Sequence, residues 1–106
     1  MRKFNHVGVP TSVRQPKETY SPEMKLFLTD FNESPNRIEF LRFEDDSTMP
    51  DLLKTHTHIA YEVDDMEAEL EGREILLAPV TNAERMTMAF IVEEGIGIEL
   101  IHFADN

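Results

Sequence analysis

A chain of 106 residues, 41% hydrophobic and with seven Phe, has the size and composition of one globular domain, large enough for one core and too short for two. Its 21 acidic against 10 basic side chains give a formal net charge of -11. That balance repels phosphate backbones and anionic lipid surfaces, so neither nucleic acid nor membrane is an expected partner. There is no cysteine, which excludes disulfides, thiolate-bound zinc and thiol catalysis together.

The opening "MRKFNHVGVP" is basic but has no apolar h-region, so it does not read as a signal peptide, and a soluble, cytoplasmic protein is expected. No run approaches the ~20 apolar residues that span a bilayer. "KFNHVGV" (3–9) alternates Phe4, His6 and Gly8 against Asn5, Val7 and Val9, the period of a strand, and Pro10 then stops it. Residues 11–23 carry two prolines and several hydroxyls without apolar periodicity and read as loop. "MKLFLTDF" (24–31) and "RIEFLRFE" (37–44) read as strands joined into a hairpin by the turn cluster "NESPN".

An acidic loop (45–54) follows, with room for one helical turn at its end. "THIAYEV" (57–63) is the next strand. Asp64 or Asp65 then caps a short helix over 66–71, closed by Gly72, with Met66 and Leu70 on one side. Residues 74–80, 85–94 and 97–103 are three further strands, the last two joined by a tight turn at "EEGIG". The second half is thus a βαβββ unit and the first a reduced copy of it. "FNHVGV" corresponds to "THIAYEV", and "RIEFLRF" to "GIELIHF".

This weak repeat pairs His6 with His58 and Glu39 with Glu99, four potential metal ligands on four strands. Taken singly, each is an ordinary polar residue on the solvated side of a half-buried sheet. Taken together, imidazole nitrogen and carboxylate oxygen suit a divalent Zn, Ni, Co, Mn or Fe. The opposite faces carry Val7, Val9, Ile38, Phe40, Ile59 and Tyr61, as a sheet that buries one side requires. His56 shares the parity of His58 but lies ~6.6–6.8 Å along the strand, which suits a rim position better than a shared ion. His102 has the opposite parity to Glu99 and should face away. Arg37 and Arg42 are candidate contacts for an anionic substrate group, with exposed strand arginines as the plainer alternative. The six methionines read as core filler.

These residues carry a resemblance to the vicinal oxygen chelate superfamily, which includes glyoxalase I, bleomycin-resistance proteins, extradiol dioxygenases and methylmalonyl-CoA epimerase. "FNHVGV" resembles that family's first strand, whose histidine is a metal ligand. "THIAYEVDDMEAEL" resembles its second histidine strand and following helix. "MAFIVEEGIGIELIHF" resembles its final hairpin, with Glu99 at the last ligand position, and "RIEFLRF" the end of the first module, with Glu39 at the remaining one. The chain resembles a single-domain bacterial-type member with a reduced first module.

The resemblance implies an α+β fold of two βαβββ-type modules forming a curled mixed sheet around a metal-site cleft. One glyoxalase-like domain would span 1–106, with module one at about 1–54 and module two at about 55–106. The family's aromatic-rich first helix is missing or degraded into "TSVRQPKETYSPEM", so the face of Val7, Val9, Ile38 and Phe40 needs another cover, and a homodimer partner is expected. Glutathione-using members tend to have a basic residue soon after the first histidine, where this chain has Pro10.

The resemblance further implies a metal-dependent lyase or isomerase acting on a small oxygenated carbonyl compound, by proton abstraction to a metal-stabilised enediolate. Glu99 is then the expected catalytic base, Glu39 the second choice, and Arg37, Arg42 and His56 the expected substrate contacts. The alternative is a non-catalytic, small-molecule-sequestering protein of the bleomycin-resistance type. Such members usually lack the ligand set, whereas this chain has His6, Glu39, His58 and Glu99. Epimerases tend to have Gln where Glu39 stands, and dioxygenases are usually larger.

Overall fold

The computed structural model describes residues 1–104, and the last two residues of the expected second module lie outside them. In chain order the described strands are β1 (Lys3–Pro10), β2 (Thr19–Ser21), β3 (Leu26–Leu28), β4 (Ile38–Phe43), β5 (His58–Glu62), β6 (Glu74–Thr81), β7 (Met86–Glu93) and β8 (Ile96–Phe103). They form one curled sheet in the order β2-β3-β4-β1-β5-β8-β7-β6. Each half contributes four strands in the same relative order, and the halves meet where β1 pairs antiparallel with β5. On the outer flanks of that pair, β4 runs parallel to β1 and β8 parallel to β5.

The alternation of the strands divides the sheet into two faces. On the convex side of the second half, Val63, Ile91, Ile98 and Leu100 form a buried cluster, with Met66 and Leu70 packed against it. Those two residues belong to α2 (Met66–Leu70), whose first turn is capped by Asp65, accepting from the Ala68 amide at 3.1 Å. The β7–β8 hairpin closes over Glu94 and Gly95, both at positive φ (52° and 81°), as a two-residue primed turn requires.

The first half has no helix between its first two strands among the described residues. Residues 11–23, read as loop from the sequence, include the three-residue strand β2, which pairs with β3. Arg42, on the convex side of β4, lies over the Phe27 ring at 4.2 Å and donates to both Glu18 oxygens, at 2.7 and 2.9 Å. That anchors the Gln15–Glu18 stretch across the sheet and leaves an open groove over Ile38 and Phe40. Phe31, expected at a strand end, instead opens a 3₁₀ turn (Phe31–Glu33) capped by Asp30. The turn before β5 is α1 (Asp51–Thr55), whose buried Leu53 sits against Gly97, where a Cβ would lie 2.6 Å from the leucine methyl.

Candidate metal centre

The β1–β5 register builds the site. His6 stands opposite Ala60, and His58 opposite Gly8, so each histidine faces the small residue two places beyond the other histidine. On the flanking strands Glu39 is beside Gly8 and Glu99 beside Ala60. Two rows therefore cross the concave face, Glu39–Gly8–His58 and His6–Ala60–Glu99, related by the repeat seen in the sequence. One ligand atom from each of His6, Glu39 and His58 lies within 4.8 Å of the other two. Glu99 joins them, with Oε1 3.1 Å from His58 Nε2 and 3.4 Å from His6 Nε2, while Glu39 Oε1 is 3.6 Å from His6 Nε2. All four side chains are largely buried: 4% exposed for His6, 3% for His58, 15% for Glu39 and 12% for Glu99.

The hydrogen bonds set the tautomer of His6. Asn5 donates its amide to Glu62 at 3.0 Å, which turns its carbonyl oxygen toward His6 to accept from Nδ1–H at 2.7 Å. Nε2 is left facing the two carboxylates and makes no hydrogen bond, although it is buried. A neutral imidazole held in this way by an outer acceptor is the form that binds metal. Burial disfavours the charged form of His6, but Glu39 and Glu99 outweigh it and push the pKa up to about 9. Burial likewise raises the Glu99 carboxyl, and His58 and His6 outweigh that, holding it below its ordinary value. The cluster thus attracts positive charge at His6 Nε2. Two imidazoles and two carboxylates fit a borderline divalent cation there.

Packing fixes the rings. A Cβ on Gly8 would lie 2.0 Å from His58 Cε1 and 2.5 Å from both ring nitrogens, so the imidazole occupies the space of a missing side chain. Phe90 meets the same ring edge-on at 5.1 Å. His58 Nδ1, unlike His6 Nδ1, is buried without a hydrogen-bond partner, so packing against Gly8 and Phe90 and the Nε2–Glu99 contact orient this ring. Phe31 stacks on His6 at 4.3 Å and 10°. Beside the cluster, Glu39, His58 and Glu99 open onto a cavity of about 170 Å³ walled mainly by Met, Leu and Phe side chains.

Among the residues expected at the site, His6, Glu39, His58 and Glu99 are brought together and the other three are not. Arg37 has a left-handed backbone (φ 54°) just before β4, donates to the Asn5 carbonyl, and places its guanidinium over the Phe31 ring at 4.9 Å. It braces the strand and ring that hold His6. Arg42 points to the convex face, as its parity relative to Glu39 dictates. His56 is exposed at the end of α1, paired with Thr55 at 2.8 Å. His102 faces away from the cluster, against the Val63 carbonyl at 3.0 Å. Three contributors went unnoticed: Asn5, Gly8 and Phe31. The first two had a signal, because His-x-small occurs in both halves (His6/Gly8 and His58/Ala60) and a polar Asn5 sits on the otherwise apolar side of its strand.

No family model matches the sequence, and no curated protein matches it. Among solved structures, hypothetical protein BH1468 from Bacillus halodurans C-125 superposes with a TM-score of 0.69 at 16% identity, over 99% of this chain and 96% of that one. Methylmalonyl-CoA epimerase from Mycobacterium tuberculosis superposes with a TM-score of 0.54 at 14% identity, over 98% of this chain and 88% of that one. No helix among the described residues is long and apolar enough to cross a membrane. The chain is similar to both structures in fold, an α+β curled mixed sheet, with no helix between β1 and β2 among the described residues.

Proposed function

We propose that this chain is a metal-dependent isomerase or lyase of the glyoxalase type, removing a proton next to a carbonyl of a small oxygenated compound. The observation that carries the reading is the convergence of His6, Glu39 and His58, with Glu99 against both imidazoles, at the seam where β1 of one half pairs with β5 of the other. The fold neighbour whose name states an activity is an epimerase, an isomerase by class. His6, Glu39, His58 and Glu99 would hold the cation. When bound, a divalent Zn, Ni, Co, Mn or Fe supplies a Lewis acid for the negative charge that develops as the proton leaves.

The remaining work falls to the chain's own residues. Glu99 is the proposed base and Glu39 the second choice, since both carboxylates reach the cavity wall and can take a proton from a carbon lodged there. The Met, Leu and Phe walls keep water from the reacting carbon. Asn5 holds His6 in the tautomer that leaves Nε2 free. A second copy of the chain is the proposed cover for the groove over Ile38 and Phe40, and a monomeric mass in sedimentation would overturn that.

The test is solvent exchange. Metal-loaded protein is mixed with neutral α-hydroxyketones and α-hydroxyaldehydes in D₂O, and deuterium at the α-carbon is followed by NMR. Incorporation by the wild type and its loss in Glu99→Gln are expected. Tight binding of the same compounds without exchange would overturn the enzyme reading in favour of sequestration.

A further inference from the structure

We infer that the substrate carries an uncharged, apolar group about the size of one six-membered ring, seated in the cavity beside the cluster. The inference rests on the cluster being a metal centre and concerns the part of the substrate that points away from it.

The size follows from the volume. The cavity measures about 170 Å³, and an apolar cavity of about 150 Å³ is enough to take up benzene. The chemistry follows from the walls. Met24 and Leu26 come from the first half, Leu53 from α1, and Met86, Met88 and Phe90 from β7. With Met49, four of the chain's six methionines line this one space, and unbranched thioether side chains adjust readily to differently shaped apolar guests.

Charge excludes the anionic alternative. No Lys or Arg among the described residues lines the cavity, and its charged groups are Glu39 and Glu99. The cations around it are engaged elsewhere: Arg42 with Glu18, Arg37 with the Asn5 carbonyl, Lys25 with Asp46 and Lys54 with the Ser47 carbonyl. A divalent cation held by two carboxylates and two neutral imidazoles is left with no net charge. A carboxylate or phosphate on the substrate's tail would therefore be buried without a partner, at the cost that attends any unpaired buried ion.

The test uses the whole chain with ¹³C-labelled methionine methyl groups, read by NMR. In metal-free protein, benzyl alcohol is titrated against benzoate. Benzyl alcohol is expected to shift the methyl signals of Met24, Met49, Met86 and Met88, while Met1 at the exposed terminus and Met66 on the convex face stay still. Benzoate is expected to bind at least about tenfold more weakly. With zinc added, benzohydroxamate should bind more tightly than both acetohydroxamate and 4-carboxybenzohydroxamate.

Equal or tighter binding of the carboxylate probe in either form would overturn the inference, as would shifts confined to Met1 and Met66. Failure of zinc to perturb the histidine signals would instead sink the metal reading. The benzyl alcohol titration would still decide this inference by itself.

Discussion

In the second half of the molecule, α2 presses Met66 and Leu70 onto Val63, Ile91, Ile98 and Leu100, giving the sheet a dry convex face. In the first half, the corresponding chain has no helix, and Gln15–Glu18 is strapped across Ile38 and Phe40 by the Glu18–Arg42 pair. On the concave side the halves agree: each supplies one histidine, one glutamate and one small residue at matching positions. The contrast separates two jobs. Strand register places the four clustered side chains, and the helix behind the sheet is dispensable for that placement, though not for a closed convex face.

The agreement on the concave side is imperfect, and the largest predicted effect lies there. Gly8 and Ala60 hold matching positions, yet the His58 ring fills the space of a Cβ at Gly8. Gly8→Ala should drive the ring out of the cluster and weaken metal binding by more than about 100-fold, beyond the loss typical of an outer-shell change. Ala60→Gly should leave affinity within a few-fold. Calorimetric titration of both variants checks this, and similar affinities would break the asymmetry.

The convex contrast predicts unequal stability costs. Leu100→Ala, at a fully buried position under α2, should cost about 2–5 kcal/mol in urea unfolding. Phe40→Ala, at the half-buried groove, should cost only about 1–2 kcal/mol despite the larger side chain removed. Equal costs would mean that the first-half face is closed in solution, as a dimer would close it.

The outer nitrogens of the two histidines differ as well, Nδ1 of His6 being held by Asn5 and that of His58 by nothing. Asn5→Ala should lower metal affinity by about 10- to 100-fold and, because buried His6 Nδ1 loses its acceptor, cost the metal-free protein about 1–3 kcal/mol in urea unfolding.

The smallest effect is a pH dependence. His6 titrates at about 9 in the metal-free fold against 6.5 ordinarily, so its contribution to stability is complete below pH 6.5 and disappears as pH rises through 9. Glu99 is shifted downward, so its contribution is present above its ordinary 4.5 and is lost as pH falls through the lowered value. The urea midpoint of metal-free protein should therefore fall between pH 7 and pH 10, and His6→Gln should flatten that limb. A midpoint that rises over this range would contradict the charge arrangement.

The alternation of apolar and polar residues was enough to read seven of the eight strands and their apolar and polar faces, and the weak internal repeat, with the resemblance it carries, singled out the four clustered side chains. Strand β2 escaped because three residues carry no period, and it forms only by pairing with β3. Phe31 escaped because its role depends on a capped 3₁₀ turn that swings the ring over His6. Arg37 misled because a left-handed residue ahead of the strand does not obey strand parity. Arg42 misled for no such reason: its parity opposite to Glu39 already placed it on the far face. Asn5 and Gly8 were legible as residues but not as roles, since a tautomer and a missing Cβ acquire meaning only once β1 and β5 are paired.

In the proposed function, His6, Glu39, His58 and Glu99 form one cation site shared between the halves. The most direct measurement is calorimetric titration of zinc and nickel into the metal-free wild type, His6→Ala from the first half and His58→Ala from the second. One ion per chain in the wild type, and loss of that site in both variants, is the predicted result. No binding to the wild type, or a site that survives the loss of either histidine, would contradict it.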